Sequence, residues 1–248
     1  MLIYKAWRES RTRFLLSGAA LALGCAIVVL FHQQLRAEPD VPMTYTRYIW
    51  SAVYKANSLR DLFIMLVLVL GLGGLLQERG RGTAGFSLAL PVSRTRLVVV
   101  RAAMGLTELT ALALVPALLI PVGSRMDGEV YPLAQSLRFG VLWTACGAVL
   151  FGIAFLLSTL LSGEYSAWVV SFVIVLMYSA IVHLVPLLDR AAALDLFDIM
   201  SGTEMPYFRE AEAVWVGPLP WVPLAMIVAI TAGLLAAAAH VTARQDFS

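Results

Sequence analysis

Apolar stretches of about 20 residues recur along the whole chain, and no other feature limits the fold so tightly. As a helix, each is long enough to cross a hydrocarbon core of ~30 Å at a rise of ~1.5 Å per residue. Of the 248 residues, 60% are hydrophobic and 14% charged, whereas a soluble domain is roughly 45–50% apolar and about 25% charged. That balance excludes a water-soluble globule. Continuous apolar runs such as Leu62 to Leu76 also exclude a transmembrane β-barrel, whose ~10-residue segments alternate apolar and polar positions. The expectation is an all-α, multi-pass membrane protein.

Six spans are predicted: Phe14 to His32, Leu59 to Gln77, Ala102 to Val122, Phe139 to Leu161, Ala167 to Pro186 and Val222 to Val241. No gap between them is long enough for a soluble domain, so residues 1–248 read as one membrane domain. An even number of spans puts both termini on one side, and basic residues in short loops set which side that is. Lys5, Arg8, Arg11 and Arg13 precede the first span, and Arg79, Arg81, Arg94, Arg96 and Arg101 lie between the second and third. The other side has Arg36, Arg47, Lys55, Arg60, Arg125, Arg138, Arg190 and Arg209 spread over longer loops and holds most of the carboxylates, among them Asp127, Glu129, Asp195 and Asp198. Both termini are therefore expected to be cytoplasmic.

Three further segments repeat apolar residues at helical spacing beside charge. Residues 1–13 set Leu2, Ile3, Ala6 and Trp7 against Lys5, Arg8 and Arg11, the pattern of an amphipathic N-terminal interfacial helix. On the outer side, Tyr45, Tyr48, Ile49, Ala52, Val53 and Ala56 form one such stripe, and Ala193, Leu196, Phe197 and Met200 form another within the 187–221 loop. Such short outer helices anchor in headgroups or cap an exit path. The basic start followed by Ala22-Leu23-Gly24-Cys25 resembles a secretory signal, but the apolar run continues to Phe31 and is span-length, so cleavage is not expected. Cys25 and Cys146 both fall mid-span and read as packing residues rather than a loop disulfide.

Chemistry needs convergent polar groups, and the spans hold few. His32, His183 and His240 lie in different spans at different depths, so they form neither a haem pair nor a metal cluster. Nucleophile-elbow, zinc-protease and dithiol motifs are missing, as is a phosphate-binding loop, so neither hydrolase chemistry nor ATP hydrolysis is expected of this chain. No cofactor, metal or nucleic-acid partner is expected, the net charge of +2 offering no basic stripe. One carboxylate stands out. Glu108 is seven residues past Arg101, roughly 10 Å into the third span, where an uncompensated charge costs about 2.5–3.5 kcal/mol. It is either a substrate-path residue or one half of a structural hydrogen bond, with a Ser or Thr of a neighbouring span as its partner. Gly71-Leu72-Gly73-Gly74, Gly147 and Gly152 permit close helix approach, and Pro116 and Pro121 should bend the third span.

The most informative stretch runs from Gln77 to Leu97. Gly80, Gly82 and Gly85 break the second span, Thr83 to Leu90 suits a short amphipathic helix, Pro91 stops it, and Ser93 caps the next segment. Left at that, the stretch is also compatible with an ordinary charged connector.

Glu78 and Gly82-Thr83, followed by Leu88-Ala89-Leu90-Pro91-Val92-Ser93-Arg94 and then a basic residue opening the next span, resemble the first cytoplasmic loop of ATP-binding cassette (ABC) permeases of the type-2 exporter class. Tyr4-Lys5-Ala6-Trp7-Arg8-Glu9-Ser10-Arg11-Thr12-Arg13-Phe14-Leu15 resembles that family's connecting helix. The resemblance covers the six-span layout and is specific mainly between Glu78 and Arg101. It implies that Thr83 to Leu90 is a coupling helix seated in a groove of a separate ABC ATPase subunit. Phe86, Leu88 and Leu90 would be its apolar anchors, and Arg94 and Arg96 its charged rim. It further implies two ATPase copies carrying ATP and Mg, a second permease half that is either a copy or a homologue, and a bacterial cytoplasmic (inner) membrane. The substrate would be hydrophobic or amphipathic: lipid, peptide or drug. The competing classes are an ion-coupled secondary transporter, which usually needs several intramembrane ionisable groups, and a non-transporting membrane scaffold.

Overall fold

The computed structural model describes residues 2–32, 43–55, 59–72, 93–161, 166–184, 195–203, 205 and 207–244, with the backbone alone at Arg94, His183 and Leu184. The order is α1 (Leu2–Leu30), α2 (Tyr45–Ile49) running into a π-helical turn (Trp50–Tyr54), α3 (Leu59–Leu70), α4 (Arg94–Met126), α5 (Leu133–Leu160), α6 (Ser166–Leu184) and α7 (Leu196–Ser201), then β1 (Phe208–Arg209), β2 (Val214–Trp215) and α8 (Trp221–Arg244). The fold is that of an all-α membrane protein. By length and composition four helices can cross a membrane: α1, α4 over Thr95–Met126, α5 and α8. The described part of α6 that counts as apolar helix, Ser166–Val182, is shorter, and α3 is described over 12 residues. Residues 73–77 of the expected second span and 185–186 of the fifth lie outside the described residues.

The bundle is built round α5, which packs against α3, α4, α6, α7 and α8, while α1 packs along α4 and α3. Contacts fix the directions. Ser10 meets Glu108 and Val29 meets Gly123, so α1 and α4 run parallel. Arg13 meets Leu72 while Leu59 meets Gly24, so α3 runs antiparallel to α1. The start of α1 and the end of α3 thus share one end of the bundle with the start of α4.

Lipid tails are as apolar as leucine, so these helices associate through close packing rather than through apolar burial as such. Gly71 shows how close. A Cβ there would lie 2.5 Å from the Ala154 Cβ and 3.1 Å from the Phe151 carbonyl oxygen, so α3 crosses α5 backbone to backbone. Cys25 and Cys146 are buried free thiols within this packing. Pro116 and Pro121 lie inside α4, which continues through both to Met126.

Residues 2–13 are not set apart as an interfacial helix. They are the first turns of the 29-residue α1, which at ~1.5 Å per residue is about 43 Å long and overshoots a ~30 Å core. No Gly or Pro falls between Leu2 and Ser17, so nothing stops the helix at the membrane boundary, and α4 supports its early turns through Ser10 and Glu9.

The two short segments expected to anchor in headgroups or to cap an exit path both present buried faces. Tyr45, Tyr48, Ile49, Trp50, Val53 and Tyr54 are all buried, as are Phe197, Ile199 and Met200 of α7. The Thr44 side chain caps α2 by accepting the Arg47 amide, and Asp195 caps α7 by accepting the Phe197 amide at 2.8 Å. Gly202, at φ 77°, then ends α7 in the left-handed region that glycine enters without strain. Both segments are folded into the protein, across the end of the bundle remote from Ser10.

Candidate functional site

Two polar clusters stand at opposite ends of the bundle, and Glu108 belongs to the first. Its side chain is 2% exposed and accepts a hydrogen bond from the Ser10 hydroxyl of α1. The other carboxylate oxygen, Oε2, is buried with no hydrogen-bond partner among the described residues. Ser10 has one proton to give, and the Ala6 carbonyl oxygen of its own helix lies 3.1 Å away as the competing acceptor. A carboxylate wins that competition because charge-assisted hydrogen bonds are roughly twice as strong as neutral ones. Arg13, one turn further along α1, donates from Nη1 to the Leu72 carbonyl oxygen at 2.6 Å. Glu9 pairs with Arg101 of α4 and, at 3.6 Å, with Lys5. Glu9, Ser10 and Arg13, on two successive turns of α1, therefore hold both helices that flank residues 73–92.

Those residues carry the other candidates. Glu78, Thr83, Phe86, Leu88 and Leu90 lie outside the described residues, and so does the whole Thr83–Leu90 segment. Arg94 opens α4, and the exposed Arg96 donates its amide to the Ser93 side chain at 3.3 Å. Ser93 is thus the cap of α4, as its spacing predicts.

At the opposite end, rings pack into one cluster. Tyr54 stacks on Phe139 with centroids 4.0 Å apart, Trp143 lies 4.6 Å from Phe63, and Phe139 meets both Phe208 and Trp215 edge-on. Gln135 ties the short β1–β2 ladder to α5: its Nε2 donates to the Ala213 carbonyl oxygen at 2.9 Å, and its Oε1 accepts the Trp215 amide at 3.1 Å. Burial pushes the phenols of Tyr54 and Tyr131 above the ordinary tyrosine range. His32, 3% exposed, sets Nδ1 2.6 Å from Asp127 and Nε2 3.9 Å from Glu129. That pair joins the end of α1 to the turn after α4. His240 is exposed on α8, far along the chain and in a different helix. Among the described residues no group of three or more His, Cys, Asp or Glu is placed to hold a metal.

Arg60 is the residue that span counting misses. Counted with the loop charges, it is only 8% exposed, and its guanidinium donates to Asp61 Oδ1 from Nε and Nη2 and to the Phe197 carbonyl oxygen from Nη1. The available signal was an Arg-Asp pair at the mouth of an apolar run, since opposite charges side by side tolerate burial better than one alone. Beside Arg60 a cavity of about 500 Å³ opens between α3, α6 and α7. Compared with known proteins, the chain matches no family model and no curated protein.

Proposed function

We propose that this chain is the six-span permease subunit of an ATP-driven exporter of the type-2 ABC class, with both termini and residues 73–92 in the cytoplasm of a bacterial cell. Two copies of a separate ATPase would bind ATP and Mg, and a second permease half, identical or homologous, would complete the pathway. The exported substrate would be hydrophobic or amphipathic.

One observation carries the reading. The stretch bearing the family-like Leu88-x-Leu90-Pro91-Val92-Ser93-Arg94 pattern joins α3 to α4 at the end of the bundle where α1 also begins, and α1 grips both flanks, through Arg13 to Leu72 and through Glu9 to Arg101. A force applied to that stretch by a closing ATPase pair would reach α1, α3 and α4 together. Helices coupled in this way shift as a body between inward- and outward-open packings, with nucleotide affinity setting the population of each. The aromatic cluster round Tyr54, Phe139 and Trp143 would then be the layer that parts when the outer end opens.

The test is extraction in mild detergent from cells expressing the chain with the genes that flank it, followed by an ATPase assay. The reading predicts hydrolysis only when a second polypeptide with a phosphate-binding loop co-purifies, and none from the chain alone. Robust hydrolysis by the isolated chain contradicts it.

A further inference from the structure

We infer that the outward face of the first turns of α1 binds the headgroup of an anionic phospholipid, with Arg8 and Arg11 acting together on its phosphodiester. The inference rests on the chain lying in a membrane and goes beyond the exporter reading without depending on it.

The cations of α1 fall into two sets. Lys5 pairs with Glu9, and Arg13 donates to the Leu72 carbonyl oxygen, so both are engaged within the protein. Arg8 and Arg11 are exposed and have no partner among the described residues. Tyr4, Arg8, Arg11 and Leu15 follow one another at spacings of four, three and four, so they share one face of the helix. Like charges three residues apart on a helix repel, and an anion set between the two guanidiniums removes that repulsion. Each guanidinium also offers a planar fork of donors that matches phosphate oxygens.

What continues the face decides its occupant. Leu15, Leu16, Leu23 and Leu30 of α1 are each at least 59% exposed, a surface that acyl chains cover once the chain lies in a membrane. From Arg11 to Leu30 is nineteen residues of one helix, about 29 Å along its axis, which matches a hydrocarbon core of ~30 Å. Arg11 therefore stands at one boundary of that core, and Arg8 almost one turn beyond it, at the depth of the phosphates. The exposed Tyr4 extends the same face into the headgroup layer, where tyrosine is favoured. A soluble protein could reach Arg8 but not the leucines, whereas one phospholipid covers both. The charge of the head follows from the carboxylates. Glu9 and Glu108, the described carboxylates at this end of the bundle, are engaged by Arg101 and Lys5 and by Ser10, so neither is offered to the ammonium of a zwitterionic head, which the two guanidiniums repel. A head of net negative charge meets only attraction, as basic residues at a membrane surface do with anionic lipid.

Native mass spectrometry of the full chain tests this, with delipidated protein titrated in turn with phosphatidylglycerol and phosphatidylcholine of the same acyl chains. The double variant Arg8→Gln/Arg11→Gln removes both cations. Arg125→Gln/Arg244→Gln removes two exposed arginines of α4 and α8 and so carries the same net charge. The expected result is a first phosphatidylglycerol bound by wild type at least tenfold more tightly than phosphatidylcholine, a ratio that falls below threefold in Arg8→Gln/Arg11→Gln and is kept in Arg125→Gln/Arg244→Gln. If the first double variant fails to fold, Arg8→Gln and Arg11→Gln are measured singly, and each should lower the ratio at least twofold. Equal binding of the two lipids by wild type, or the same loss of preference in both double variants, overturns the inference. So does a full preference for phosphatidylglycerol in Arg8→Gln/Arg11→Gln, and loss of a co-purifying protein from that same variant would then assign the face to protein instead.

Discussion

Glu108 of α4 and Ser10 of α1 meet in a hydrogen bond across 98 positions of sequence, and this contact sets the register of the two parallel helices at the end where the chain begins. A side chain that accepts there without carrying charge should keep the register. Glu108→Gln is therefore expected to fold with an unfolding midpoint within a few degrees of wild type. Glu108→Leu, which strips the acceptor and sends the Ser10 proton back to the Ala6 carbonyl, should cost about 1 kcal/mol. Under the exporter reading the charge itself serves the substrate path, so Glu108→Gln should lower export at least tenfold at matched expression. Normal export by this variant would leave Glu108 with a packing role only.

The crossing of α3 over α5 makes a prediction about packing. A Cβ at position 71 meets backbone atoms of α5 that cannot move aside, so Gly71→Ala should destabilise by roughly 1–3 kcal/mol, the usual penalty for overpacking. Gly18 on α1 has nothing within 4 Å of a built Cβ, and Gly18→Ala should be neutral or slightly stabilising through helix propensity. Thermal unfolding of both in one detergent compares them. Equal midpoints would mean that α3 and α5 do not approach as closely as described.

Gln135 holds two backbone groups of the β1–β2 hairpin, one on Ala213, whose φ of 54° lies in the left-handed region. Replacing it with Leu leaves a buried carbonyl and a buried amide unpaired, at about 1–3 kcal/mol for each group. Limited proteolysis should then cut between Tyr207 and Val216 in Gln135→Leu under conditions that leave wild type intact. Unchanged resistance would show that the ring cluster alone secures the hairpin.

Orientation is checked by single cysteines in a variant lacking Cys25 and Cys146. A membrane-impermeant maleimide added to intact cells should label a cysteine placed at the exposed Glu210 but not one placed at the exposed Ser93, which should react only after the membrane is opened. Labelling of Ser93→Cys from outside would invert the topology and remove residues 73–92 from the reach of a cytoplasmic ATPase.

Much of the helical layout was legible because apolar length is a local property of sequence, and so was the Ser93 cap, which depends on neighbours three residues away. The misses share one cause. Periodicity shows that Tyr45, Tyr48, Ile49 and Val53 lie on one face, but in a membrane a protein-facing and a lipid-facing stripe have the same composition. Residues 45–54 therefore read equally as a headgroup anchor or a cap, and the sequence does not show that they are buried. Arg60 reads as a loop charge for a similar reason: its burial comes from Phe197, 137 positions away, which no local window contains. The continuity of α1 through Arg13 is not legible in the sequence, because charge signals a membrane boundary without signalling a helix end.

Under the exporter reading, residues between α3 and α4 seat a separate ATPase. Short helices in grooves are held by a few apolar anchors, so Phe86→Asp and Leu88→Asp should each abolish co-purification of the ATPase, because each forces a carboxylate into a dry groove. Arg94→Ala, a rim change, should weaken the complex mainly at raised salt. The decisive measurement is a pull-down of the ATPase by these three variants and wild type at matched membrane expression. Both Asp variants should lose the ATPase while α1, α4, α5 and α8 still insert. Full retention of ATPase by Phe86→Asp and Leu88→Asp would contradict it.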